Sequence, residues 1–462
     1  MPCSWWRRSP AGRPDRPPVR VLHPVTSMMR RPYRPAPATL TAQHPLLRLE
    51  TWAVFVTIVG MIVNEWLGPG FLALALLLWG LYGAQHASSV ARALGSVGMI
   101  PWLLPLLAFV SLLWSPVPLA TARAAIQFGL TIALAVLTAR SVPPQRFVAG
   151  AWIVTGLLIV LSIAFNKPYR DAMTGIVSMG GVFGNKNTLA FCCLIFTLTS
   201  ATIALDKART LQFRLAGLLG ILFGLVMCVL ARSIGTIVVT FIGLGVLAIT
   251  VLLGLLPRRL RSGTAQMVFV LGLLASVPLV MGVMAFQEEL LALVNKDSTL
   301  TGRTLLWYHA ARMWVDHPIL GTGYHGFWVQ GMPAAEFLWK ELHIAARQGF
   351  HFHSLYYETL INLGLVGVAL GLLVICQATL AALRWARRSP DASNGLCLGV
   401  ILLSLVMQVQ TIGLFSQFDP SSYIFFTCAA YAIGWCRQET AVRQRLRLPS
   451  RRLITGHHVR PA

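Results

Sequence analysis

Residues 235–256, GTIVVTFIGLGVLAITVLLGLL, form an uncharged apolar stretch that is followed at once by the basic sequence PRRLR, residues 257–261. About 20 apolar residues in a helix are enough to cross the hydrocarbon core of a bilayer. Lys and Arg gather beside membrane spans on the cytoplasmic side. The stretch therefore predicts a transmembrane helix whose carboxyl end faces the cytoplasm.

Eleven further apolar segments extend this pattern along the chain. They centre on residues 51–67, 70–86, 98–114, 122–139, 147–165, 188–205, 212–231, 266–286, 355–378, 394–415 and 420–436. The sequence therefore predicts an all-α polytopic membrane protein of about twelve transmembrane helices.

The distribution of basic residues predicts the orientation of these helices. With the amino terminus in the cytoplasm, every inner connection carries Lys or Arg: Arg92, Arg140, Arg146, Lys207, Arg209, Arg214, Arg258, Arg259, Arg261, Arg384, Arg387 and Arg388. The short outer connections keep fewer cations, namely Arg123, Lys167, Arg170, Lys186 and Arg232. This asymmetry predicts that both termini are cytoplasmic.

The overall composition supports a membrane protein and argues against a nucleic-acid-binding protein. Of the 462 residues, 56% are hydrophobic and 11% are charged, whereas a soluble protein has about 25% charged residues. A net charge of +23 in a soluble protein would suggest nucleic acid. Here the cations lie in short clusters between apolar runs, so we expect the lipid bilayer as a partner and no nucleic acid.

Two basic tails flank the predicted membrane domain, which covers residues 49–436. Residues 1–48 are rich in Arg and Pro and lack the apolar core of a signal peptide, so we predict a disordered cytoplasmic tail. Translation from Met28 or Met29 is an alternative. Residues 437–462 form a second basic cytoplasmic tail.

A long outer loop, residues 287–354, separates the predicted ninth and tenth spans. Loops of this length are usually functional or disordered, and this one is rich in Trp, Tyr, His and Gly, a composition that favours folding. We predict one or two short amphipathic helices over the outer side of the bundle, one of them from about Arg303 to Val315. Gly321, Gly323 and Gly326 are predicted to form tight turns.

Four polar segments near the predicted outer side are candidates for chemistry. Lys186 and Asn187 open a span, where backbone N–H groups and a lysine favour an anion; a snorkelling lysine beside an Asn cap is the structural alternative. Arg232, between two apolar runs, suits a cavity or a ligand, or else a turn that reaches the head groups. Arg303 offers two parallel donors to phosphate oxygens, unless it is an ordinary surface arginine.

His353, just before the tenth span, is the fourth candidate, because histidine suits proton transfer near neutral pH; a lone interfacial histidine is more often structural. Together the four segments suit a substrate with a diphosphate and an acceptor hydroxyl. The sequence contains no Walker motif, no dinucleotide fingerprint and no Asp-x-Asp pair. We therefore expect no cofactor and no metal, with the energy of the reaction carried by the substrate.

At these residues the chain resembles the family of bacterial O-antigen ligases and O-antigen or exopolysaccharide polymerases. The matching segments are GVFGNKN (181–187), Arg232-Ser233, GRTLLW (302–307) with DHPILGTG (316–323), and His353-Ser354 followed by Gly364 and Gly367. Ser354 stands where Asn is common in the family. The resemblance covers roughly residues 50–436.

The resemblance implies metal-independent transfer of a glycan from undecaprenyl diphosphate to an acceptor hydroxyl, on the periplasmic side of the bacterial inner membrane. In this scheme Arg232 and Arg303 would hold the diphosphate and stabilise charge on the leaving group. His353 would act as base on the acceptor hydroxyl or orient it. Lys186 and Asn187 would contribute to binding the diphosphate or glycan.

The acceptor separates two versions of this activity. A ligase uses a lipid A–core sugar or another terminal acceptor, while a polymerase uses the next lipid-linked repeat, and the histidine pattern favours a ligase. Other polysaccharide assembly proteins are candidate partners. A secondary transporter and a non-catalytic glycan-binding membrane protein are the alternatives from other classes; transporters place ionisable residues near the bilayer midplane, whereas these spans carry almost no charge.

Overall fold

The computed structural model describes residues 48–170, 175, 177–267, 303–345, 347, 350–408, 411 and 413–447. The predicted tails at 1–48 and 437–462, the ninth span at 266–286 and the start of the long loop lie wholly or mostly outside these residues. Within them the regular secondary structure is helical apart from one two-stranded sheet. The predicted α-helical class is thus confirmed.

The first nine labelled helices precede the long loop. They are α1 (Leu49–Leu67), α2 (Gly70–Gln85), α3 (Ala87–Gly95), α4 (Ile100–Val110), α5 (Pro118–Ser141), α6 (Pro144–Ala164), α7 (Lys186–Leu205), α8 (Leu211–Leu230) and α9 (Ile234–Leu255). Between α6 and α7, strands β1 (Pro168–Arg170) and β2 (Val177–Met179) pair antiparallel with Tyr169 opposite Ser178. This hairpin was not predicted from the sequence.

Five labelled helices follow. Two short helices, α10 (Arg303–Met313) and α11 (Pro333–Glu341), belong to the long loop, and α12 (Leu355–Arg388), α13 (Ala392–Met407) and α14 (Pro420–Arg447) complete the described chain. The loop helix predicted to reach Val315 ends instead at Met313 and continues as one turn of 3-10 helix over Trp314–Asp316.

The described helices include fewer clear membrane spans than the twelve predicted. Six described helices, α5 to α9 and α12, are long and apolar enough to cross a membrane. The pair α2 and α3 adds a seventh if it counts as one span, but its two helices meet at 111°. Three more apolar helices are shorter, at Leu49–Asn64, Ile100–Leu113 and Ala392–Met407. The chain is a multi-pass membrane protein, and its twelve spans remain a prediction.

Helices α7 to α9 and α12 to α14 run alternately up and down, which defines two ends of the bundle. The backbone N–H of Leu355, at the start of α12, donates to the carbonyl oxygens of Gln408 and Thr411, just beyond α13, at 3.0 and 2.9 Å. At the other end, Gly254 of α9 lies against the carbonyl of Pro390, between α12 and α13. We call the end at which α7, α9 and α12 begin the histidine end, because His353 lies there.

The opposite end collects the arginines of the predicted inner connections. Arg140 lies against Gly434, and Arg388 and Arg443 share the carboxylate of Glu439. Arg437 donates to the carbonyl of Gly95 at 3.3 Å. Arg209, Arg214 and Arg261 each donate to backbone carbonyls at the same end. The charge asymmetry read from the sequence therefore corresponds to one physical end of the bundle.

Helix α7 is packed on all sides, and glycines allow its partner α8 to approach closely. A Cβ atom on Gly217 or Gly220 would lie 2.6 or 2.5 Å from an atom of Ser200. Small residues at helix contacts are typical of membrane bundles, where van der Waals packing drives association. This packing holds α8, the helix that leads to Arg232, against α7.

Helix α12 is broken at Gly364, and the long loop fills the break. Gly364 has φ 62° and ψ −162°, which frees backbone groups on both sides. The N–H groups of Leu365 and Val366 bond to the carbonyls of Pro318 and Ile319 at 3.0 and 3.2 Å. In return, the N–H groups at 322 and 323 bond to the carbonyls at 361 and 362, each at 2.9 Å. Buried backbone groups need such partners, so the loop is anchored in the bundle.

The loop also has a hydrophobic core of its own, which packs on the first turns of α12. Its fully buried members come from both loop helices, the turns that follow them and α12: Leu306, Ala310, Phe327, Ala335, Leu338, Trp339, Phe352 and Ile361. This core fixes α10 relative to the residues that precede α12.

Candidate functional site

Two histidines face each other in the turn that leads into α12. The imidazole centroids of His351 and His353 are 4.1 Å apart, and the backbone N–H of His353 donates to Nδ1 of His351 at 3.0 Å. His351 therefore accepts at Nδ1, which makes it the Nε2–H tautomer while it is neutral. His353 has φ 53°, a left-handed backbone that residues other than glycine adopt uncommonly and often at functional positions.

Helix α10 carries Arg303 to this turn. Arg303 and Trp307 are four residues apart and so share a face of the helix. The indole of Trp307 donates to the carbonyl of Phe352 at 2.8 Å and stacks on Tyr357 with centroids 5.7 Å apart. Because Phe352 directly precedes His353, this anchor holds the guanidinium beside the two imidazoles.

The electrostatics of the turn reflect this proximity. The pKa of His353 is lowered to about 3, mainly by burial and then by His351 and Arg303. The pKa of His351 is lowered to about 4, by burial and then by Arg303. Burial also lowers the pKa of Arg303, whose guanidinium stays charged in proteins. At neutral pH the site therefore holds one fixed cation beside two neutral imidazoles.

Glu358 holds the histidine turn from the side of α12. Its carboxylate accepts the backbone N–H of Phe352 at 3.0 Å, the indole N–H of Trp328 at 3.4 Å and the amide of Asn362 at 2.9 Å. The sequence motifs did not indicate this role. The position of Glu358 five residues after His353, on the first turns of a span, was the available signal.

Arg232 lies at the histidine end, in the turn between α8 and α9, whereas Arg303 begins α10 in the long loop. Arg232 follows α8, its backbone N–H donates to the carbonyl of Val229 at 2.9 Å, and it is exposed with φ 51°. Within the described chain no hydrogen bond or ion pair joins its side chain to Arg303 or His353. The structure therefore brings Arg303 and His353 together and places Arg232 at the same end of the bundle.

Lys186 and Asn187 also lie at this end, at the start of α7. Asn185 is the N-cap, and its side chain accepts the N–H groups of Asn187 and Thr188 at 2.9 and 3.4 Å. This capping uses N–H groups that the anion-binding interpretation required. The ammonium of Lys186 lies 5.2 Å from the ring centroid of Tyr169 in β1, so the unexpected hairpin covers this helix start.

The candidate site belongs to a multi-pass α-helical membrane protein with a folded loop over one end of its bundle. Comparison with known proteins specifies the class further. Residues 219–372 match the sequence model of the family described as O-Antigen ligase. The exopolysaccharide production protein ExoQ of Rhizobium meliloti (strain 1021) is 27% identical over 394 residues, covering 82% of this chain and 88% of the relative.

These matches confirm the resemblance indicated by the sequence motifs, to the O-antigen ligases with the related O-antigen and exopolysaccharide polymerases. Arg232, Arg303 and His353 all fall within the residues that match the family, while Lys186 and Asn187 precede them.

Proposed function

We propose that this protein transfers a glycan from undecaprenyl diphosphate to an acceptor hydroxyl during the synthesis of a surface polysaccharide. The observation that carries the proposal is the meeting of Arg303 with the His351–His353 pair at one end of a membrane bundle. A fixed cation beside a neutral imidazole suits an anionic leaving group and a hydroxyl nucleophile.

Arginine is suited to the leaving group because its planar guanidinium offers paired donors to phosphate oxygens. We assign Arg303 to the diphosphate next to the sugar, since it lies beside the histidines. Arg232, at the same end, is assigned to the same diphosphate from the α8–α9 turn. Lys186 and Asn187 are assigned to the outer part of the donor, where Lys186 adds positive charge.

His353 is assigned the role of base. The acceptor oxygen attacks the anomeric carbon and forms the new glycosidic bond, while the bond from that carbon to the diphosphate breaks and the diphosphate keeps the electron pair. The hydroxyl proton passes to His353, and one such displacement inverts the anomeric configuration. A bound diphosphate offsets the charge of Arg303, and this raises the pKa of His353 towards the range useful for a base.

We further propose that the histidine end faces the periplasm and that the protein crosses the bacterial inner membrane about twelve times, with both termini cytoplasmic. The support is the concentration of arginines at the opposite end, including Arg140, Arg388 and Arg437. Cytoplasmic connections carry the excess of Lys and Arg.

Two acceptors fit this chemistry. The family match and the histidine pattern favour a ligase, whose acceptor is a lipid A–core sugar or another terminal sugar. The match to an exopolysaccharide production protein over most of both chains favours a polymerase, whose acceptor is the next lipid-linked repeat. The glycan of a deletion strain distinguishes them. Loss of a polymerase leaves single repeats on the terminal acceptor, whereas loss of a ligase leaves that acceptor bare and the polymer on its lipid carrier.

The test uses purified full-length protein and an undecaprenyl-diphosphate-linked repeat as donor. We expect Arg303→Ala, Arg232→Asn and His353→Asn each to lower transfer by about a hundredfold or more, since each removes a group acting on the transition state. Asn is chosen at 232 and 353 because it tolerates the left-handed backbone better than Ala.

Matched controls come from the same loop. Arg312 is an exposed arginine of α10 that contacts Tyr308, and His317 is an exposed histidine beyond it. Arg312→Ala and His317→Asn should transfer at the wild-type rate. Wild-type activity in the His353 and Arg303 variants would refute the assignment, and accumulation of an unmodified substrate in vesicles would favour transport instead.

A further inference from the structure

A second polar cleft lies at the histidine end, around His325. This residue has φ 56° and an exposed side chain, yet its pKa is lowered to about 4, mainly by burial among surrounding protein atoms. A side chain that is open to solvent and also surrounded by protein lines a cleft. Its hydrogen-bond partner there is the side chain of Gln417.

Three segments that are distant in sequence converge to form this cleft. Gly323 and Gly326, on either side of the Tyr324–His325 pair, lie against Ser115, which precedes α5. The backbone N–H of Tyr324 donates to the hydroxyl of Ser111 at 2.9 Å. The cleft is therefore attached to the outer ends of α4 and α5.

The connection between α13 and α14 closes the other side. The hydroxyl of Tyr324 donates to the carbonyl of Phe415 at 2.8 Å and to Oε1 of Gln417 at 3.3 Å. Phe415 and Phe418, on either side of Gln417, both have left-handed backbones, with φ 68° and 50°. Such conformations persist only where the surroundings impose them, so Gln417 is held towards His325.

The cleft differs in charge from the Arg303 site. Burial and, after it, the nearby carboxyl groups of Glu358 and Asp419 raise the pKa of Tyr324. His325 and Gln417 themselves are uncharged at neutral pH. Acidic neighbours disfavour a diphosphate, whereas planar amide and imidazole groups beside carboxyl groups can exchange hydrogen bonds with neutral hydroxyls.

The cleft is also connected to the histidine turn. Tyr324 is near Glu358, and Glu358 accepts the backbone N–H of Phe352, the residue before His353. A ligand at His325 would therefore lie near the residues that hold the histidine turn.

We propose that His325 and Gln417 form a subsite for a neutral saccharide, which positions the acceptor sugar for the reaction at His353. The acceptor role rests on the proposed function, but saccharide binding does not. The subsite binds hydroxyl groups by neutral hydrogen bonds, with Tyr324 holding Gln417 in place.

Binding is measured on the purified full-length protein in nanodiscs, by saturation-transfer difference NMR. The probes are the repeat-unit oligosaccharide and the core oligosaccharide, each released by mild acid from the producing organism's own glycans, because the two acceptors of the proposed function differ. We expect His325→Asn and Gln417→Ala each to raise the Kd about tenfold or more, since each removes hydrogen bonds to the sugar. His317→Asn, in the same loop, should bind as the wild type does.

Separate outcomes test the subsite and the reaction. Arg303→Ala should lose transfer yet bind the oligosaccharide normally. If the wild type binds no oligosaccharide, or both His325→Asn and Gln417→Ala bind as it does, the subsite is refuted whatever the transfer result. If oligosaccharide binding depends on His325 but neither the wild type nor any variant shows glycan transfer, the subsite stands and the proposed reaction fails. Gln417→Ala keeps the test valid if His325→Asn does not fold.

Discussion

Individual residues at the histidine end share an unusual backbone. Arg232, His325 and His353 all have φ near 50°, with values of 51°, 56° and 53°. Each such residue costs about 1–3 kcal/mol, and they tend to cluster at functional sites. The three positions therefore direct their side chains at a cost in stability, which is consistent with roles in binding and catalysis.

The lowered pKa values of the histidines predict the pH dependence of the reaction. Because the pKa of His353 is about 3 in the free protein, its neutral form persists far below the ordinary histidine value of about 6.5. We expect kcat/KM to stay level from about pH 8 to 5 and to fall only near pH 4 and below, since this ratio reports the free enzyme.

The pH profile of kcat should differ. This parameter reports the enzyme–substrate complex, in which the negative diphosphate raises the pKa of His353, so its acid limb should lie at higher pH. Rates are measured with brief exposure to each pH, and activity after return to pH 7 controls for unfolding. A kcat/KM profile that falls near pH 6.5 would contradict the burial of His353.

At the scale of elements, the joint between the long loop and α12 holds the site together. The segment 318–323 exchanges four backbone hydrogen bonds with residues 361–366 across the break at Gly364. A helix broken within a membrane bundle must find partners for its freed backbone groups. The loop provides them, which couples its fold to the bundle.

Replacement of Gly364 tests this joint. A Cβ atom there would overlap the carbonyl of Ile319, and φ 62° is unfavourable for alanine. We expect Gly364→Ala to lower the free energy of unfolding by about 2 kcal/mol or more and to release the loop first, as seen by faster hydrogen exchange at residues 318–323.

Gly245 provides the matched control. It lies inside α9, and a Cβ atom there would meet nothing within 4 Å. Gly245→Ala should leave unfolding and exchange close to those of the wild type. Equal free energies of unfolding for Gly364→Ala and Gly245→Ala would mean that the backbone contacts at Gly364 do not hold the loop on α12.

At the scale of the whole molecule, the two ends of the bundle differ in what they carry. The opposite end holds the arginines of the predicted inner connections, and the histidine end holds the folded loop and the candidate site. We expect the two ends to face opposite sides of the inner membrane, because cations near spans remain cytoplasmic.

Cysteine labelling checks this orientation. Asp316 is exposed in the loop and Gln444 is exposed near the end of α14. With a membrane-impermeant maleimide on intact spheroplasts, Asp316→Cys should label and Gln444→Cys should label only after lysis. Labelling of the parent protein controls for its native cysteines. The reverse pattern would place the site in the cytoplasm and exclude the proposed acceptors.

The sequence alone determined the helical class, most of the helices in the described part of the chain and the end of the bundle at which the arginines gather. Hydropathy and charge depend on neighbouring residues, so they can be read along the chain. The sequence also indicated the family through short motifs. The glycines of these motifs at 321, 323 and 364 form close backbone contacts in the structure. The sequence did not indicate the β1–β2 hairpin or the 111° bend between α2 and α3.

Only the tertiary structure decided which candidate residues meet. Arg303 reaches His353 because Trp307 bonds to Phe352, 45 residues away, and Gln417 reaches His325 from a connection 92 residues further along the chain. Such contacts depend on how the loop packs and on where left-handed residues turn the backbone. Sequence spacing does not encode these distances, because they arise from the packing of helices that are remote in the chain.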